Sequence, residues 1–234
     1  MKAIADTATE ADFARLAHDY QAAVDDAALL SFARSLGVSA ETLKHLGIGR
    51  HRDTWVFPER DANGRIIGLS RRLPDGKKLA VNGSRRGLTM VWPLDAYAGS
   101  SLNDPILIVE GATDTAAGLD LGFVTIGRPS ATAGAEHLRS LHKGRHVCIV
   151  GEHERSGVGK SGAKGIAQAL LHDAASVQLI FPPAEYKDLR AWAQHADRAK
   201  IEAAIKAAPP VTLRINITVQ TCERHRRRKC AHIH

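Results

Sequence analysis

A chain of 234 residues, 44% hydrophobic and 24% charged, can bury one sizeable core or two small ones, and is too apolar to stay disordered. No stretch approaches the roughly 18 uncharged apolar residues of a membrane span. The acidic start, with Asp6, Glu10 and Asp12, is unlike a secretory leader, so a cytoplasmic location with no membrane partner is expected. Of the net charge of +7, residues 209–234 hold +5, a run that reads as a solvated tail and would also attract phosphate backbones.

Taken in chain order, Ala11 to Leu36 is rich in Ala, Leu and acidic residues at helical spacing. Ser39 to Gly47 reads as a short helix with an N-cap serine and a terminating glycine. From Thr54 the pattern turns to hairpin strands: Trp55-Val-Phe-Pro58, the turn Asp61-Ala-Asn-Gly64, then Arg65 to Arg72, then the turn Pro74-Asp-Gly76. Small and turn-forming residues around Ala98 to Pro105 separate this piece from the next. After Pro105, apolar runs at Ile106–Val109, Phe123–Ile126, His146–Val150 and Val177–Phe181 alternate with helical patterns at Thr113–Leu121, Ala133–Leu141 and Lys160–Ala174. Such alternation predicts a parallel sheet. A helix begins in Tyr186 to Trp192, and another spans Asp197 to Ala208 before Pro209-Pro210 stops it. The predicted class is α/β, a parallel sheet flanked by helices and preceded by a smaller helical and β-hairpin lobe. Its parts are residues 1–98 for that lobe, 104–183 for the sheet domain, 184–208 for the C-terminal helices and 209–234 for a disordered basic tail.

Two acidic clusters end two of the apolar runs: Glu110-Gly-Ala-Thr-Asp114, and Glu152-His-Glu154 after Val147-Cys-Ile-Val-Gly151. Right-handed crossovers place the C-terminal ends of such strands along one edge, where ligands of parallel sheets bind. Carboxylates converging there repel one another unless a divalent metal or a shared proton compensates, and hard oxygen donors favour Mg²⁺ or Mn²⁺. Either cluster alone would read as solvated surface acid; the two in register point to a site.

Competing motifs fail on particular residues. Gly157-Val-Gly-Lys-Ser161 is not a P-loop, because Glu154 stands where the first glycine belongs, and a dinucleotide fingerprint lacks an acid ending the strand at Phe181. The stretch reads as a turn starting a helix, with Lys160 or Lys164 available for phosphate. Cys222, His225, Cys230, His232 and His234 match no common zinc spacing. His153 is expected to point outward between its two glutamates. Trp55 and Trp92, beside apolar strands, read as core.

The run Ile106 to Asp114 resembles the first motif of Toprim proteins, an apolar strand ending in Glu-Gly-x-x-Asp, and Glu152-His-Glu154 is similar to the second, with glutamates where that family has aspartates. Trp55 to Gly68, Leu69-Ser-Arg-Arg72, Leu36 to Gly49 and Pro183 to Arg190 resemble successive segments of DnaG-type and phage primase catalytic cores. The similarity covers about residues 31–195. It implies a Toprim-like sheet and a DNA-directed RNA polymerase activity, short RNA primers made on single-stranded DNA by metal-dependent nucleotidyl transfer. Carried onto this chain, Glu110 and Asp114 are catalytic, and Glu110, Glu152 and Glu154 are ligands for Mg²⁺ or Mn²⁺. Arg71, Arg72, Lys77, Lys78, Lys160, Lys187 and Asp188 face nucleotide or template. The implied partners are single-stranded DNA and nucleoside triphosphates, with a replicative helicase as a candidate protein partner. Two further readings keep the fold: nuclease-type phosphodiester hydrolysis, or a non-catalytic nucleic-acid-binding module.

Overall fold

The computed structural model describes residues 10–94, 104–154 and 157–212. Most of the predicted loop before Pro105 and the cysteine- and histidine-bearing tail lie outside the described residues. Three helices come first, α1 (Glu10–Ala22), α2 (Asp26–Leu36) and α3 (Ala40–His45). The helical stretch up to Leu36 is divided at Asp25, whose extended backbone and carboxylate, accepting from the Ala28 N–H at 2.8 Å, start a new helix. Ser39 caps α3 as its sequence predicts, accepting from the Thr42 N–H.

Four strands, β1 (Gly49–His51), β2 (Thr54–Arg60), β3 (Ile66–Arg72) and β4 (Lys78–Ala80), then form an antiparallel sheet in chain order. The β2–β3 turn is organised by Asp61, whose carboxylate accepts from the N–H groups of Asn63 and Arg65. Phe13 and Ala17 of α1 cover this sheet through Val56 and Leu69.

The second sheet is wholly parallel. Its strands are β5 (Ile106–Glu110), β6 (Thr125–Arg128), β7 (His146–Val150) and β8 (Ser176–Ile180), in the order β6-β5-β7-β8. Between and after them run α4 (Gly111–Asp120), α5 (Ala135–Leu138), α6 (Val158–Leu170), α7 (Leu189–Ala193) and α8 (Arg198–Ala207). The predicted α/β architecture, a parallel sheet flanked by helices after a helical and antiparallel lobe, is therefore present. The helix expected over Ala133–Leu141 is only four residues long: Gly134 opens it at φ +97°, and the Leu141 N–H bonds Leu138 O in a tighter turn.

Strand periodicity divides the parallel sheet's two faces. Ile106, Ile108, Val147 and Ile149 pack with Ile166, Ala167 and Leu170 of α6 on one side, and Leu107, Val109, Cys148 and Val150 pack with Trp192, Ile201 and Ile205 of α7 and α8 on the other. From β5 the chain passes to β6 on one side and β7 on the other. The C-terminal ends of β5 and β7 thus form the topological switch point, where a crevice opens in parallel sheets.

Residues 86–90 strap the two sheets together. Leu88 bridges to Arg60 of the antiparallel sheet, and Thr89 bridges to Gly127 of the parallel one.

Candidate active site between the two sheets

The first acidic cluster owes its shape to a strand running directly into a helix. Glu110 is the last residue of β5 and the N-cap of α4, but its side chain makes no capping hydrogen bond and stays available. Gly111 takes φ +77°, a left-handed turn that a side chain would strain, and a Cβ there would lie 3.0 Å from Lys78 Nζ. Close approach by Gly127 completes the corner, since a Cβ on it would meet Thr115 Oγ1 at 2.1 Å. Asp114 falls in the first turn of α4 and is 3% exposed, its carboxylate accepting from the Arg190 N–H at 3.4 Å.

The second cluster follows β7. Glu152 turns inward, its side chain 11% exposed, with Lys187 Nζ 3.7 Å from its carboxylate. His153 is exposed and tied to the opposite strand exit by its backbone N–H to Lys187 O and its Nε2 to Pro182 O, both outside the acidic cluster. Asp188, also buried, caps α7 by accepting from the Ala191 N–H at 2.8 Å.

These groups act on one another. Burial, then the charge of Glu110, pushes Glu152 up to about 7, with Asp188 adding to the effect and Lys187 and Lys78 opposing it. Burial also holds the Asp114 carboxyl well above the ordinary carboxylate range, reinforced by Asp188 and Glu152. The edge is therefore a crowded negative site. Among the described residues no three His, Cys, Asp or Glu side chains are gathered at metal-ligand spacing. The donor set is nonetheless all oxygen, the chemistry that suits Mg²⁺ or Mn²⁺, and the two glutamates have the rotatable bonds to converge.

A cavity of about 120 Å³ separates this edge from the antiparallel sheet, with Glu110 and Thr113 on one wall and Arg71, Arg72 and Lys78 on the other. Arg72 also faces Arg190, and burial, with that like charge, holds its guanidinium below its ordinary value.

The structure thus brings together Glu110, Asp114, Glu152, Asp188, Arg71, Arg72, Lys78 and Lys187. It leaves three predicted residues apart. Glu154 is exposed near the start of α6, where its Cγ would lie 3.6 Å from a Cβ on Gly159. Lys77 is exposed and pairs with Asp75 of its own turn at 3.0 Å. Lys160 is exposed in the first turn of α6. Trp55 is core, stacked on Phe32 at 4.6 Å, whereas Trp92 is 40% exposed, contrary to the sequence reading, because it lies flat over Gly64 of the β2–β3 turn instead of entering the core.

Two residues of the site have no sequence signal. Arg128, at the end of β6, is 2% exposed. Arg86 donates from Nε and Nη2 to the buried Glu59 carboxylate at 2.9 Å each and from Nη2 to Pro129 O, joining the two sheets beside the cavity. The only hint for Arg128 was an arginine following an apolar run, which ordinarily marks surface, and Arg86, after Asn82-Gly-Ser-Arg85, had none.

No protein-family model and no curated protein matches the chain. Solved structures do. A DnaG primase catalytic domain bound to single-stranded DNA superposes with a TM-score of 0.66 at 18% identity, over 85% of this chain and 80% of that one. A DNA primase domain from Pseudomonas aeruginosa gives 0.66 at 18% identity, over 85% and 78%. The primase fragment of the bacteriophage T7 primase-helicase protein gives 0.55 at 17% identity, over 74% and 72%. The chain has the fold of a primase catalytic core.

Proposed function

We propose that this protein makes short RNA primers on single-stranded DNA by metal-dependent nucleotidyl transfer, in the cavity between the two sheets. The observation that carries the reading is the crowding of Glu110, Glu152 and Asp188 at the strand switch point, with Glu110 facing Arg71, Arg72 and Lys78 across the cavity. Glu110 and Glu152, backed by Asp188, would hold Mg²⁺ or Mn²⁺. When bound, such ions favour ionisation of an attacking 3′-hydroxyl and neutralise charge on departing pyrophosphate.

The remaining work falls to the chain itself. Glu110, free of capping bonds, is placed to accept the hydroxyl proton. Arg71 and Arg72 offer planar forks and Lys78 a point charge to the triphosphate oxygens. Asp114 is a positioning residue: by accepting from the Arg190 N–H it fixes α7, and with it Asp188, against α4. Lys187, paired with Glu152 and largely exposed, is available to incoming phosphate or template. Single-stranded DNA, bound by the DnaG domain of the same fold, is the proposed template. A helicase is the proposed protein partner, because the T7 relative is a primase-helicase.

The test supplies purified protein with four ribonucleotides, Mg²⁺ or Mn²⁺ and mixed-sequence single-stranded templates. Labelled oligoribonucleotides are expected, falling at least about 100-fold in Glu110→Gln, the scale on which groups stabilising a transition state act. No product above that variant overturns the reading. Shortening of labelled DNA without added nucleotides would identify hydrolysis as the chemistry instead.

A further inference from the structure

We propose that the cavity contains a seat for a diphosphate that needs no metal, formed by the uncapped first turn of α4 together with Lys78 and Arg128. That the diphosphate belongs to a nucleotide rests on the nucleotidyl-transfer reading above; what is added is the place of its terminal phosphates and the buried residue behind them.

Helix α4 begins at the cavity. Gly111, Ala112 and Thr113 all line it, and no side chain caps the helix, so the N–H groups of that turn lack the side-chain partner that ordinarily satisfies one of them. With ten residues in the helix, the turn carries the partial positive charge of a helix N-terminus, which favours an anion. Lys78 stands over the same turn, its Nζ 3.0 Å from where a Cβ on Gly111 would lie. Arg128 is the independent sign of a ligand. It is 2% exposed, lines the cavity from the end of β6, and among the described residues its Nε has no hydrogen-bond partner. Nη1 donates to the carbonyls of Ser130 and Ala131, which fixes the guanidinium without neutralising it. A guanidinium keeps its proton in proteins, so burial leaves here a cation short of partners. Glu110 and Glu152 face it, and their attraction offsets part of the cost of its burial.

Charge and size both select phosphate groups. Five cations line the cavity against two carboxylates, Glu59 and Glu110, and Arg86 already holds Glu59 through two hydrogen bonds of 2.9 Å. Glu110 is thus the carboxylate that an entering anion meets, with Lys78, Arg72 and Arg128 around it. Beyond the lining, Glu152 and Asp188 add negative charge at the edge, and Lys187 lies 3.7 Å from the Glu152 carboxylate. At about 120 Å³ the cavity is well below the roughly 300 Å³ or more of pockets that enclose a drug-sized ligand, so it takes phosphate groups and leaves sugar and base outside.

The experiment titrates the whole protein with inorganic pyrophosphate in a chelator, following heat by calorimetry and backbone amides by nuclear magnetic resonance. Wild type is expected to bind, with the amide signals of Gly111 to Thr113 shifting. Affinity is expected to fall at least about tenfold in Arg128→Met and in Lys78→Met, less in Arg128→Lys, and to stay within about twofold in Lys160→Met, which removes a surface charge away from the cavity. A ribonucleoside triphosphate is expected to displace pyrophosphate, and the bare nucleoside to leave it bound. No binding without metal, binding that leaves the three amides unmoved, or equal losses in Lys160→Met and Arg128→Met would overturn the proposal. Circular dichroism establishes that each variant is folded, and if Arg128→Met is not, Lys78→Met and the amide shifts decide. Primer synthesis does not enter these readouts: a protein that makes primers but binds no pyrophosphate in chelator sinks the seat alone, whereas one that binds it and makes no primers sinks the nucleotidyl-transfer reading and leaves a diphosphate site.

Discussion

Glu152 holds its proton at a pH where an ordinary glutamate has lost it, and this gives the site a thermodynamic signature. With a folded-state value of about 7 against an unfolded value near 4.5, the folded protein binds the extra proton between those limits. Stability from this group therefore falls as pH rises from about 4.5, and the whole penalty is present above about 7. Glu152→Gln removes the ionisable group while keeping its shape. At pH 8 the variant should be more stable by about 1–2 kcal/mol, a figure reduced for solvent screening, or roughly 3–6 °C in Tm. At pH 4.5 the gain should vanish, and melting curves at the two pH values check it; an equal gain at both would show that packing, not ionisation, is responsible. Saturating Mg²⁺ at pH 8 should raise the Tm of wild type and leave that of Glu152→Gln nearly unchanged, since binding to the folded state alone stabilises it. Asp114 separates charge from geometry in the same way. Asp114→Asn keeps an acceptor for the Arg190 N–H and should fold normally, whereas Asp114→Ala strands that N–H and should cost about 2–3 kcal/mol in urea unfolding.

At the scale of elements, the strap of residues 86–90 keeps the basic wall at a fixed distance from the acidic edge. Its strongest contact is Arg86 on Glu59, a carboxylate only 3% exposed whose other support is the Gly87 N–H at 2.9 Å. Arg86→Ala leaves a buried carboxylate without its cation and should destabilise by about 3 kcal/mol in urea unfolding. Adding Glu59→Gln should recover part of that loss; a strictly additive double variant would show the pair to be uncoupled. Elements of this kind differ in how far a sequence discloses them. Glu110, Gly111 and Asp114 were legible because strand, left-handed turn and helix follow one another within a few residues, so local geometry fixes their relation. Glu152 was legible as the acid following an apolar strand, but its neighbour Glu154 was not separable from it: only the fold shows that Glu152 turns inward beside Lys187 while Glu154 stays exposed. Lys77 and Lys78 are adjacent, and the turn's own Asp75 decides that the first is spent locally while the second crosses to Gly111. Arg128 was illegible because its burial depends on carbonyls that the chain presents only after it has folded back beyond Pro129. Trp92 misled for the reverse reason: its resting place, a glycine turn, lies nearly thirty residues earlier.

For the molecule as a whole, α4 makes the two halves of the cavity one cooperative structure. Its Ala116 and Leu119 belong to the core formed by α2, α3 and Trp55, although the helix itself connects two strands of the parallel sheet. Its last residue, Asp120, accepts from the Ser39 N–H and Oγ at 2.7 Å each and from Thr42 Oγ1 at 2.5 Å, placing a carboxylate at the N-terminal end of α3 where the helix dipole favours it. Arg190 adds a bond from Nη1 to Leu36 O at 3.2 Å. The core beneath α2, α3 and Trp55 is therefore shared with α4, beside the smaller one that α1 forms on the antiparallel sheet, and unfolding of one half should expose the other. In urea, the fluorescence of Trp55 and Trp192, which sit in different cores, should change together with the far-ultraviolet circular dichroism in one transition. Leu119→Ala, a truncation at 3% exposure, should cost about 2–4 kcal/mol and shift both probes equally. A Trp55 signal, isolated by Trp92→Phe and Trp192→Phe together, that moved ahead of the circular dichroism would mean that the halves unfold separately. The acidic edge and the basic wall would then be held in register by something other than α4, because a cavity built from two sheets keeps its shape only while both remain docked.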